Sequence, residues 1–239
     1  MNKNTPLFRA HIASLLSTAF ALLVVGSAHA SLQLQSSVVV VDADEGEGVI
    51  SLKNNAKSPV LLHSAVVDID EDKEPLLLVT PPITRVDPGD TQLVRFILRE
   101  TDGRPVERLR RATFEGIEQA KPGVVSIGVR QNIPVIIRPK GLSPNREPWT
   151  SLRWTRADGQ LKVSNQGPYV VRMSADLEVA GTVSAASLPR TYILPGETLS
   201  VAANPAANIS LSAATTLSFR PASINGYLLD PVTVSLPSN

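Results

Sequence analysis

The chain has 239 residues, of which 43% are hydrophobic and 4% aromatic, with a formal net charge of +1 and no cysteine. Without cysteine there is no disulfide framework, no thiol nucleophile and no thiolate metal site. Near-neutral charge without a basic run leaves no electrostatic footprint for nucleic acid, and so sparse an aromatic content speaks against a carbohydrate-binding module or a glycosidase.

Residues 1–30 read as a signal peptide. Lys3 and Arg9 precede an apolar stretch from Ile12 to Val25, no acid occurs before Asp42, and Ala28-His29-Ala30 is a small-x-small cleavage site. The apolar stretch is shorter than the ~20 residues a membrane span needs. Cleavage after Ala30 removes Lys3 and Arg9 and turns the net charge to −1.

From residue 31 the pattern is all-β. Two short strands flank an acidic turn with Gly46 and Gly48 in VVVVDADEGEGVISLKNN; VLLHSAVVDI follows, closed by Asp70-Glu71-Asp72-Lys73; then an apolar run, a Pro81-Pro82 break, a Pro88-Gly89 turn and a further strand. Turn signals this closely spaced suggest a sandwich. Helix-like periodicity is confined to a weak signal around residues 105–111. RPKGLSPN, residues 138–145, is the best linker. Beyond it the chain is poorer in charge and again strand-like, with YVVRMSADLEV among the runs. The expected organisation is a signal peptide over 1–30 and two β-sandwich domains, 31–140 and 141–239.

Chemistry is scarce. With His11 and His29 in the leader, His63 is the one histidine left, no G-x-S-x-G accompanies it, and no glycine-rich loop opens a helix. Asp68, Asp70 and Asp72 have the spacing of a calcium loop, but Lys73 and Val79 occupy the positions that need glycine and a bidentate glutamate. Asp42, Asp44, Glu45 and Glu47 fail likewise, with Lys53 in the twelfth place. Both clusters are read as solvated hairpin tips. The chain is not expected to be an enzyme or to need a cofactor.

The most informative stretch is VSIGVRQNIPVIIRP, residues 125–139. Val125, Ile127, Val129, Ile133, Val135 and Ile137 alternate with other residues, broken at Gln131, as in one long strand with an apolar face. Pro134 lies inside it, and proline is confined to edges, bulges and strand starts. A long apolar edge strand invites aggregation. Ile133, Val135 and Ile137 are expected in the core, and Val125 to Val129 outside it.

VTPPITRVDPGDTQLVRFI (79–97), ERLRRATFEGIEQ (107–119), VSIGVRQNIPVIIRPKGL (125–142) and LRWTRADGQLKVSNQGPYVV (152–171) occur in this order. Together they resemble the periplasmic pilus chaperones of the bacterial chaperone–usher pathway, over essentially the whole mature chain. The resemblance implies two immunoglobulin-like domains joined in an L by a short linker. It implies a chaperone that lends a strand to a pilin subunit lacking its last one, then delivers the subunit to an outer-membrane usher, with no cofactor and no chemical step. Val125, Ile127 and Val129 would be the donated residues, each aliphatic side chain contributing roughly 1.5–3 kcal/mol when buried. An open edge also permits a self-dimer in the free state.

The usual anchors for the subunit's C-terminal carboxylate, a lysine on this strand and an arginine on the first strand, are absent. Pro134 stands in the lysine's place and SSVVVVDA holds no basic residue. A buried carboxylate still needs a partner, and arginine offers a two-pronged one. Arg111 is the candidate, with Arg110 or Arg130 assisting. Alternation in RRATFEGI sends Arg110 with Phe114 to one face and Arg111 with Thr113 and Glu115 to the other. The competing reading is a structural pilin-like or adhesin subunit. It is disfavoured by the two domains and the internal donor-like strand.

Overall fold

A computed structural model describes residues 32–99, 103–119, 128–157, 159–179, 181–207 and 209–237. The proposed signal peptide, Val125 and Ile127 lie outside the described residues.

The first half is built from β1 (Leu32–Leu34), β2 (Val39–Asp42), β3 (Glu47–Asn54), β4 (Val60–Val67), β5 (Leu77–Thr80), β6 (Ile83–Val86), β7 (Thr91–Leu98), β8 (Arg108–Glu118) and β9 (Arg130–Arg138). The nine strands form one continuous sheet, with β1, β3, β7 and β5 in one layer and β2, β9, β8, β4 and β6 in the other, joined where Asp42 of β2 pairs with Glu47 of β3. The consecutive strands β5 and β6, on either side of Pro81-Pro82, fall in different layers. The period-2 pattern does the sorting. In β3, Ile50 and Leu52 are buried while Val49 and Lys53 face out. The inward residues of both layers form one core, with the Phe96 ring edge-on to Phe114 at 6.3 Å.

Residues 108–118 are a strand, not the helix hinted at around 105–111. β8 has β4 on one side and β9 on the other, and two complete ladders outweigh a weak local helical preference.

The second half contains β10 (Leu152–Ala157), β11 (Gln160–Asn165), β12 (Val171–Arg172), β13 (Asp176–Val179), β14 (Thr182–Ser187), β15 (Tyr192–Ile193), β16 (Thr198–Ser200), β17 (Ala202–Ala203), β18 (Thr216–Phe219) and β19 (Val232–Ser235). It has its own core, in which Trp154 packs on Phe219 at 5.8 Å. The run YVVRMSADLEV is two strands: β12 pairs with β15, whereas β13 pairs with β14 and β18. Both halves are immunoglobulin-like β-sandwiches.

A third apolar cluster joins them. Val38, Ile69, Leu109 and Ile136 pack with Val170, Tyr192 and Leu194. The connecting segment is tied at both ends, since Gly141 N–H donates to Asp44 at 3.1 Å and the Tyr169 hydroxyl donates to the Ser143 carbonyl at 2.8 Å.

Candidate functional site

The site begins with an unfinished ladder. β9 pairs with β8 from Arg130 to Ile137, but on its other side β2 runs parallel to it only from Val135 onward, Val39 facing Val135. Among the described residues no strand pairs with β9 on that side over 130–134. Ile133, Val135 and Ile137 are buried in the core as expected. Val129, just before the strand, is 53% exposed.

The arginines of β8 separate by parity. Arg110 is fully buried beneath the loop after β4. It meets Asp72 at 2.8 Å and Asp68 at 3.1 Å and donates to the Glu74 carbonyl. Arg108 grips both oxygens of Asp72. These guanidinium groups hold the Asp72 carboxyl far below the usual carboxylate range, although its partial burial pushes the other way. Asp70 is the solvated tip expected, paired only with exposed Lys73, but Asp68 and Asp72 are not. Asp68, Asp72 and Glu74 balance the arginines that the β alternation drives inward, and a buried arginine must be paired.

Arg111 leaves the opposite face. Its Nε and Nη2 donate to the side-chain and backbone oxygens of Asn132 at 2.7 and 2.8 Å. Its cross-strand partner is Pro134. Arg130 lies further along the same ladder, exposed and paired with Glu115 at 2.7 Å. Of the three candidates only Arg111 lines the cavity between the two sandwiches, a space of about 410 Å³ bordered also by Leu109, Pro134, Arg172, Met173 and Tyr192.

Arg172 is the residue that the sequence did not single out, although it stands out in retrospect as a charge within the apolar run Val170 to Met173. It donates to the Ser223 and Ile224 carbonyls. Among the described residues neither Arg111 nor Arg172 has a carboxylate at ion-pair distance. Burial lowers the pKa of both; for Arg172 repulsion from Arg111 adds to this, while the charge of Glu107 opposes it. Two desolvated guanidinium groups around one cavity are arranged for an anion. A wider groove of about 670 Å³ near β2 and β3 is lined by Glu45 and Glu47, the wrong sign for that role.

Glu107 sits at the junction. It accepts the Val170 N–H at 3.0 Å and lies 3.7 Å from Arg138, which also meets Asp42 at 3.4 Å. Its pKa is raised because desolvation outweighs these favourable contacts.

Comparison with known proteins places this geometry. Residues 31–143 match the N-terminal domain of the PapD pili and flagellar-assembly chaperones, and residues 147–227 match the C-terminal domain of the PapD pili-assembly chaperones. The chain belongs to this family and is a pilus-assembly chaperone. The fimbrial chaperone YhcA of Escherichia coli K12 is 36% identical over 196 residues, covering 81% of this chain and 85% of that protein. The chaperone FimB/FhaD of Bordetella pertussis is 31% identical, covering 62% of this chain and 67% of its own. Among solved structures, the Salmonella enterica SafA pilin–SafB chaperone complex aligns with a TM-score of 0.70 at 19% identity, covering 88% of this chain and 99% of the other. The YadV chaperone aligns at 0.69 and 22%, covering 86% and 100%. At these identities the structural likeness speaks to the fold.

Proposed function

We propose that the chain stabilises pilin subunits in the periplasm by strand donation and passes them to an outer-membrane usher. The observation that carries this reading is the half-finished edge of β9. A subunit strand added there would occupy the row of β2, and β2 itself blocks that row beyond Pro134. If the added strand runs parallel to β9, as β2 does, its C-terminus ends beside Arg111. An antiparallel strand would bring an ammonium group to an arginine, so the charge at the stop favours the parallel choice.

Val125, Ile127 and Val129 then fill pockets in the subunit, while main-chain hydrogen bonds along the edge supply the rest. Arg111 receives the terminal carboxylate, and Arg172 assists from the second sandwich. Arg110 is committed to Asp72 and Asp68, and Arg130 to Glu115. Free chaperone hides the same edge by self-association, which light scattering with and without a subunit checks. Periplasmic location is supported by the signal-like leader together with the family.

The test is co-expression with pilin candidates and capture from the periplasm, comparing the unaltered chain with Ile127→Asp. A charge on the donated face would be buried unpaired, which is costly. The expected result is a soluble complex with the first and none with the second, the variant remaining folded. Equal capture by both would falsify donation through this segment.

A further inference from the structure

The two arginines of the proposed carboxylate site belong to different sandwiches, so their separation depends on how firmly the sandwiches are held. Contacts between domains of one chain are mobile by default unless large and apolar. A side chain outside the site spans the joint through Tyr192, which borders the same cavity as both arginines. Glu71, in the loop between β4 and β5, places one oxygen 2.9 Å from Arg190 and accepts the Tyr192 hydroxyl on the other, also at 2.9 Å. Arg190 lies over the Tyr192 ring at 4.8 Å and also pairs with Glu197.

Both ends of this link lead to the site. On one side Glu71 precedes Asp72, which is clamped by Arg108 and Arg110 of β8, the strand that carries Arg111. On the other, Tyr192 is the cross-strand partner of Arg172, and it borders the same cavity. One route from one arginine to the other therefore passes through the Glu71 carboxylate; a second, through Glu107 and the Val170 N–H, ties the starts of β8 and β12 but does not reach Tyr192.

We propose that Glu71 is a positioning residue that holds Arg111 and Arg172 at the separation one carboxylate bridges. This rests on the carboxylate-site reading above. A site held in register before its ligand arrives binds more tightly than one that must be assembled. Loss of the clasp therefore weakens recognition of a chain terminus while leaving the apolar edge of β9 untouched.

The experiment uses the mature chain and a short synthetic peptide of alternating isoleucine and threonine, with its C-terminus either free or amidated. The unaltered chain is expected to prefer the free carboxylate by about tenfold or more, the scale of one charge-assisted contact. In Glu71→Gln that preference is expected to fall below about threefold, with affinity for the amide unchanged. A merely structural role would lower both affinities together, and that result, or an unchanged preference, overturns the proposal. If Glu71→Gln fails to fold, Tyr192→Phe removes one hydrogen bond and keeps the ring beneath Arg190, and an unchanged preference there overturns it equally. If the unaltered chain binds both peptides alike, the carboxylate site itself fails and Glu71 has nothing to position.

Discussion

Arg111 and Pro134 face each other across the β8–β9 ladder. Pro134, where the resemblance implies a lysine, has no charge and no N–H. The nearest arginine in register stands one strand further in, with its side chain folded back over β9 towards Asn132. On the proposed reading the basic group that receives the carboxylate stands one strand further in, on the cavity that Arg111 lines.

Arg111→Ala is therefore expected to weaken subunit capture by about 30-fold or more, the lower end of the 2–5 kcal/mol that losing one partner of a buried charge pair costs. Adding Pro134→Lys to Arg111→Ala is expected to recover much of the loss. Co-purified subunit, measured alongside thermal melting of the chaperone, distinguishes lost binding from lost folding. Normal capture by Arg111→Ala would remove this residue from the site.

Arg110 serves stability instead. Its guanidinium is fully buried among Asp68, Asp72 and the Glu74 carbonyl. Arg110→Met removes the guanidinium from Asp68 and leaves Asp72 to Arg108 alone, and is expected to cost about 3–5 kcal/mol, as breaking a buried ion pair does. Urea unfolding measures it, and a change below about 1 kcal/mol would place the network among weak surface pairs.

The same network predicts an acid dependence. The Asp72 pKa is lowered in the folded chain by Arg110 and Arg108 despite partial burial. Its contribution is therefore complete above the unfolded value of about 3.9 and is lost as pH falls through the folded one. The stability difference between the unaltered chain and Asp72→Asn should be flat above about pH 5 and shrink steadily below about pH 4. A difference that grows on acidification contradicts this assignment.

At the alkaline end Tyr192 is diagnostic. Burial and the hydrogen bond to Glu71 push its pKa up to about 12. A raised pKa means that the contribution is present with the phenol protonated, below about pH 10, and is lost as pH rises through the folded value. Ultraviolet titration should show a late-titrating phenol that Tyr192→Phe abolishes.

Period-2 alternation carried much of the fold and part of the site. It placed Ile133, Val135 and Ile137 in the core, and it sent Arg110 inward with Phe114 while turning Arg111 out. Such parity is local and survives without knowledge of the partner strand. The roles of Glu71 and Arg172 were not legible, because each depends on a contact between the two sandwiches. Asp68, Asp70 and Asp72 would have the same spacing on a solvated tip as beneath a pair of buried arginines. The extent of the open edge was also hidden, since it is set by where β2 begins to pair.

That beginning has a further consequence. With Val39 seated against Val135, a client strand docked as proposed would be measured from its last residue backwards, like a rod pushed against a wall. Lengthening a subunit by one residue at its C-terminus would shift every residue behind it by one place. The side chains meant for the groove would then turn to the opposite face. On the strand-donation reading, the start of β2 thus makes the chaperone a gauge of where its client's chain ends.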